Sequence, residues 1–477
     1  MENLTTGKNV NKYWPWIHAF GFFVLFAMQM TQYYYCNFYA IWFPNRYAAV
    51  TCLFVILYYA VRRFRDGHET NILTSYAVWV LITRIINGYF FDEDDLLFTV
   101  GMFICVLAMA LPFQFERRNR QAVFNVFTGV FFGVITFVSA VGIYAALVQR
   151  SIDIRFLGKT LNAAVFWHDD GIFRLRIADA HANTGACWAF LGMTLAANRF
   201  FAAKKMWLKT VLAVAAAIDF IAMCLTNCRT MFAAFSICFA VFIFILADRK
   251  PVKYNNKKRV LAFVLSLVII SPLAYKSIDW TLKGVNAVSN IICSEYLSDA
   301  ETANTENTDG DTTLFENSRD VLGEGSTLRP RILIWKSAVI TIRQQPERLL
   351  IGSSEARLSE VSDASEGINF HVYHYHNMFL NTLMLTGVPG LVIVLAFLYI
   401  LIRKILLLLF SRKEEASLAE KTLVIPLIGL IGYGATLEVL LFTETDIRAF
   451  AFFFIAGILL AECRDFEIGK RDSDNGD

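Results

Sequence analysis

Seven histidines occur in the 477 residues, and three of them, His371, His374 and His376, stand together in HVYHYHNMFL at the mouth of an apolar run. Three chemistries suit such a cluster. An H-x-H pair on an extended chain turns both rings to one side, as a metal site requires. However, no cysteine is near, and Glu360, Asp363 and Glu366 show no ligand spacing. Histidines at a membrane interface can also be purely structural. The third reading is general acid/base catalysis. His376 precedes the apolar run that begins at Met378, and a helix N-terminus favours the neutral imidazole that a base requires. Asn377 is placed to orient the ring or a substrate hydroxyl, and His374 to contact substrate.

Two arginines stand where local rules do not call for a cation. In STLRPRILIWKSAVITIRQQP, Ser326 or Thr327 can cap a helix, Pro330 suits its first turn, and Ile332, Trp335, Ala338, Val339 and Ile342 recur at helical spacing. Arg331 then falls in the first turn, where the macrodipole repels a cation. It is either a tolerated exposed charge or, with the free N–H groups, part of an anion site. Arg229, in TNCRT between two apolar runs, either snorkels to headgroups or reaches into a cavity.

The elements that must position these groups are membrane helices. Hydrophobic residues make up 56% of the chain, with 43 phenylalanines, and the mean hydropathy is +0.48. About 20 apolar residues cross a bilayer core. The pattern predicts an all-α polytopic membrane protein with about twelve spans. These run from Trp14 to Cys36, Tyr47 to Val61, Ile72 to Phe91, Leu96 to Phe113, Ala122 to Val148, Ala182 to Ala197 and Met206 to Leu225. The remainder run from Met231 to Leu246, Val260 to Tyr275, Met378 to Ile402, Leu423 to Leu441 and Ala449 to Ala461.

The basic connections VRRFRDGHE, ERRNR, NRFFAAKK, DRKPVKYNNKKR and RKILLLLFSRKEE all fall on one side, which places both termini in the cytoplasm. The formal net charge of +3 follows from that topology and does not point to nucleic acid. The chain thus divides into helices 1–9 (residues 1–275), one large extracytoplasmic loop between helices 9 and 10 (276–376), helices 10–12 (377–462) and a cytoplasmic tail (463–477). The acidic stretch 295–324 reads as a solvated insertion, since the glycine and terminal glutamate of a calcium loop do not follow its NTDGD. Nine scattered cysteines form no CxxC pair. Near Gly387, GVPG predicts a break between a surface helix and the true crossing. Arg84, Asp219 and Glu438 lie inside spans, where they either line a path or form a buried pair of Arg84 with one of the two acids.

The order of these pieces carries a resemblance. CRT at a tight outer turn, R-x-x-x-W (Arg331 to Trp335), P-x-x-L-L-I-G (Pro346 to Gly352), H-x-H-N-x-x-L (His374 to Leu380) and G-x-x-G (Gly387 to Gly390) together resemble the O-antigen ligase family. That superfamily also holds polysaccharide polymerases of the Wzy type. The resemblance implies a metal-independent, inverting glycosyltransferase of the bacterial inner membrane that needs no cofactor. It would move a glycan from a polyprenyl (undecaprenyl) diphosphate carrier to an acceptor sugar hydroxyl on the outer face. His376 would be the base, Arg229 and Arg331 would hold the diphosphate, and Asn183, at the end of RIADAHAN, would match a substrate-binding asparagine. A repeat-unit polymerase shares these features. A transporter of lipid-linked oligosaccharide would instead show a polar path or an inverted repeat, and neither is evident.

Overall fold

The structure, a computed structural model, describes residues 68–88, 93–156, 159–169, 172–177, 182–247, 256–300, 328–353, 375–410, 417–436, 442 and 447–474. Helices dominate: α1 (His68–Ile86), α2 (Glu93–Ala110), α3 (Arg117–Val148), α4 (Ala182–Ala202), α5 (Met206–Leu225), α6 (Arg229–Ala247) and α7 (Asn256–Ala300). There follow α8 (Leu328–Gln344), α9 (Arg348–Ile351), α10 (Met378–Phe410), α11 (Leu418–Thr422), α12 (Val424–Thr436) and α13 (Ile447–Asp474). Ten of the twelve expected spans overlap these helices, and the first two lie outside the described residues. Among the described residues, six helices are long and apolar enough to cross a membrane. The protein is therefore a helical membrane protein.

One element departs from the all-helical expectation. Residues 152–177 form a three-stranded antiparallel sheet in the order β1 (Ile152–Phe156), β2 (Lys159–Asp169) and β3 (Ile172–Ile177), with Ile154 opposite Leu161 and Trp167 opposite Arg174. The clue is period two in RLRI: Leu175 and Ile177 are buried at 0% and 2% exposure, and the arginines alternate with them. Leu175 and Ile177 seat against Gly142 of α3 and Gly185 of α4. Likewise α7 does not stop near Tyr275 but continues as helix to Ala300, with Pro272 inside it.

The chain forms two compact units. The first holds residues 1–125, 331–410 and 434–477, and the second holds 126–330 and 411–433. In the first unit, α13 is apolar all round from Ala449 to Ala461 and buried throughout, as a helix with no polar stripe must be. Gly457 lets its backbone touch the Met109 carbonyl of α2. Phe442 packs edge-on to Tyr76, Phe397 and Phe453 at centroid distances of 5.8, 5.9 and 5.5 Å. Beyond the C-terminal end of α2, Arg120 is buried against Glu462 (3.1 Å) and Asp465 (2.8 Å) and donates to the Pro112 and Phe115 carbonyls. Those four acceptors neutralise a cation that would otherwise be costly to bury.

In the second unit α4 packs along α5, and α6 along α7. Asn198 of α4 donates to Ala419 O (2.6 Å) and Thr422 Oγ1 (2.9 Å) of α11. Along α7, Val260, Leu261, Val264, Leu265, Val268 and Ile269 are exposed, a surface suited to lipid tails.

Candidate functional site

His376 sits between two anchored residues. After it, Asn377 is the N-cap of α10: its carbonyl accepts the first helical bond from Asn381 N (2.9 Å), and its Oδ1 accepts from Phe379 N (3.0 Å) and Leu380 N (3.1 Å). Two of the four orphan N–H groups of a helix start are thereby satisfied. Its Nδ2 donates to the Ala435 carbonyl of α12 at 3.0 Å. Before it, Tyr375 is wholly buried. Its N–H donates to Asn381 Oδ1 (3.2 Å), and its carbonyl accepts from Trp335 Nε1 (2.9 Å) of α8. The Tyr375 ring packs among Ala338, Met384 and Leu385. Burial pushes its phenol up, against smaller downward pulls from the Thr341 hydroxyl and the Arg348 charge, so Tyr375 remains a neutral O–H donor.

The backbone of His376 is left-handed, with φ of 49°. Among the described residues only Gln149 and Asn227 share this conformation without being glycine. Both of those close helices: Gln149 N bonds Ala146 O and Arg150 N bonds Ala145 O after α3, and Asn227 N bonds Cys224 O after α5. His376 closes no helix among the described residues. A non-glycine residue there costs about 1–2 kcal/mol, so the anchors on either side must over-determine it.

The four other candidates divide between the units. In the first, Arg331 is placed in the first turn of α8, one turn before Trp335 and on the same helix face, although its side chain lies outside what the structure describes. His374, with His371, lies outside the described residues. In the second unit Arg229 is the first residue of α6, straight after the turn Thr226–Cys228, and its guanidinium carbon lies 5.7 Å from the Tyr275 ring centroid of α7. Asn183 is the second residue of α4, and its Oδ1 accepts from Arg174 Nη2 of β3 at 3.1 Å. Every candidate that the structure describes thus lies in the first turn of a helix or at its entry. Free N–H groups and the dipole favour anionic oxygen at each of those places.

A supporting layer was not legible in sequence. The carbonyls freed by the break in α10 at Gly387 (φ 70°, ψ −177°) are met by side chains of α1. Trp79 Nε1 donates to Thr386 O (2.7 Å), Arg84 Nη1 to Leu385 O (3.3 Å) and also to Ser353 O, and Asn87 Nδ2 to Ile351 O (3.2 Å). Arg84 does not await Asp219 or Glu438: its partner is Asp95, at 2.8 Å with both side chains fully buried. The reason is positional. Arg84 ends α1 and Asp95 begins the adjacent α2, so each charge also opposes its own helix dipole. Asp219 accepts from Thr136 Oγ1 (2.9 Å) within the second unit, and Glu438 lies outside the described residues.

Gly352 and Gly387 explain each other. A Cβ on Gly352 would stand 2.2 Å from Leu385 O, and one on Gly387 2.5 Å from Leu350 O; both glycines have positive φ. Two motifs that are separate in sequence are the two sides of one backbone-to-backbone contact.

No curated protein and no solved structure matches the chain. Residues 212–395 match the family model described as O-antigen ligase. That stretch opens in α5, closes inside α10 and contains Arg229, Arg331, Trp335, the 346–352 turn and His376. Over those residues, about two fifths of the chain, the protein is similar to the O-antigen ligase family.

Proposed function

We propose that the chain transfers a glycan from an undecaprenyl diphosphate carrier to an acceptor sugar hydroxyl at the outer face of the bacterial cytoplasmic membrane, with inversion and without a metal. The observation that carries this reading is the presentation of His376: a left-handed residue at a helix entry, held between Tyr375 and Asn377, whose backbone or side chain is anchored. His376 removes the proton from the acceptor hydroxyl as its oxygen attacks the anomeric carbon. The bond from that carbon to the diphosphate breaks on the opposite face, and the diphosphate leaves with the electron pair. Arg229 and Arg331 stabilise the leaving charge. Asn183, held by Arg174, contacts the sugars together with His374, while Asn377, expected from sequence to meet substrate, holds the start of α10 that presents His376. Because the leaving group is a stabilised anion, it requires countercharge and not a proton donor.

The test is reconstitution with a carrier-linked oligosaccharide and two acceptors, a glycolipid and a second carrier-linked glycan. His376→Ala is expected to lower turnover about 10²- to 10⁴-fold. Transfer to the glycolipid alone marks a ligase, and transfer to the second carrier-linked glycan marks a polymerase. Activity lost on adding EDTA would refute the metal-free mechanism, and activity that survived His376→Ala would remove the base. A transport role requires that His376→Ala block delivery of the donor to the outer face.

A further inference from the structure

Among the described residues, the first unit holds a buried cation with a guanidinium nitrogen that meets no partner. Arg348, the first residue of α9, is 7% exposed. Its Nη1 has no hydrogen-bond partner among the described residues, and no ion pair is formed by its guanidinium among them. Arg120 and Arg84 show what this protein does with other buried guanidiniums: each is given a carboxylate within 3.1 Å and carbonyls besides. A buried charge left without such partners is strongly destabilising, so an arginine with a nitrogen unpartnered among the described residues is open to a counter-charge.

The groups beside Arg348 specify the ligand. Tyr375, fully buried, has an O–H with no partner among the described residues, and the same holds for Asn381 Nδ2. The chain leads directly from one group to the next: Gln345 N bonds Thr341 O, and Arg348 N bonds Gln345 O, which folds Arg348 back beside the last turns of α8 against which Tyr375 packs. The phenol, held neutral, responds to both the Thr341 hydroxyl and the Arg348 charge. Guanidinium, phenol and amide N–H₂ can all donate, and the guanidinium and amide N–H₂ cannot accept. Such a set suits the oxygens of an anion and does not suit a cation or an apolar group.

We infer that Arg348 and Tyr375, with Asn381 bound to the Tyr375 backbone, form an oxyanion subsite where α9 and the entry to α10 meet the last turns of α8, and that it takes a phosphoryl or carboxylate group. It does not depend on Arg229 or Arg331, which belong to the proposed transfer site. Three sources share the chemistry: the diphosphate of a carrier, a phosphorylated acceptor sugar and an acidic sugar of the glycan.

The experiment uses the full chain in nanodiscs and reads thermal unfolding during titration with inorganic diphosphate, orthophosphate or glucuronate at constant ionic strength. Wild type is expected to show a saturable rise in Tm with one of the three, and the one that acts identifies the source. In Arg348→Met and in Tyr375→Phe the apparent affinity for that anion falls about tenfold or more, the scale of one charge-assisted hydrogen bond. Without anion, Arg348→Met has a Tm equal to or above that of wild type, because an apolar side chain replaces an unpaired buried charge. The titrations are repeated in an Arg331→Gln background. There the Arg348-dependent increment persists, so the subsite and the transfer site can fail separately. No increment in wild type, an undiminished increment in Arg348→Met, or an anion-free loss of stability in Arg348→Met overturns the assignment.

Discussion

At the scale of single residues, the candidate base is defined by its neighbours more than by its own contacts. Trp335 holds the carbonyl immediately before His376, and Asn377 both caps α10 and reaches Ala435. Trp335→Phe keeps most of the ring and removes only the N–H donor. It is expected to lower kcat severalfold with little change in KM, whereas loss of a substrate contact would raise KM; steady-state kinetics on a carrier-linked donor separate the two. Asn377→Ala removes an N-cap and should cost about 1 kcal/mol in thermal unfolding, and Asn377→Asp should restore the cap but not the donor to Ala435. If Asn377→Asp regained stability and activity together, the Ala435 tie would have no part in presenting His376.

At the scale of elements, the break in α10 is a built structure. Pro389 stands inside α10, and Gly387 carries the non-helical conformation just before it. Gly352→Ala or Gly387→Ala forces a Cβ to within 2.2 or 2.5 Å of a backbone oxygen, and neither clash can be relieved by a rotamer change. Both variants are expected to lose folded yield in detergent by size-exclusion chromatography, whereas Gly284→Ala, which meets nothing within 4 Å, is expected to be tolerated. The Arg84–Asp95 pair offers a finer measurement. Asp95→Asn alone takes the carboxylate from a buried guanidinium and should cost about 3–5 kcal/mol. Arg84→Met with Asp95→Leu should recover part of that stability. Activity should stay low in the double variant, because the Leu385 and Ser353 carbonyls lose their donor. A double variant with full activity would mean that the clamp does not hold the part of α10 that follows the candidate base.

At the scale of the whole molecule, the long apolar helices mark a membrane protein, and the match over residues 212–395 supports a glycan-transfer function. Within the first unit, the Arg84–Asp95 pair and the Arg120 cluster lie at opposite ends of α2, about 25 Å apart at 1.5 Å per residue. That separation is close to the thickness of a bilayer core. The proposed topology can be read by labelling. The described cysteines Cys105, Cys187, Cys224, Cys228, Cys238 and Cys463 are all buried and should react slowly. A cysteine at Asp309 is expected to take an impermeant maleimide in intact cells, and one at Lys413 only after lysis. The reverse pattern would invert the chain and move His376 to the cytoplasmic side.

Much of this protein follows from short-range physics and was legible in the residues alone. Apolar runs long enough for a bilayer become helices because no other element satisfies every backbone group in lipid. The helix starting near Ser326 and the interruption at Gly387 follow from caps, spacing and proline. Tertiary structure decided which groups answer one another. The strand pattern in RLRI is only a few residues long, too short to outweigh the surrounding helical signal. Arg84 pairs with Asp95 because adjacent antiparallel helices bring an outgoing end to an incoming one, which no local pattern records. Asn377, at first sight a substrate contact, is taken up by backbone groups of α10 and α12. Glycines 35 positions apart prove to be two halves of one contact, and an arginine in the 346–352 motif proves to be a buried charge. Sequence specifies which groups each residue carries, and only the packed chain determines which of them are left to seek a partner.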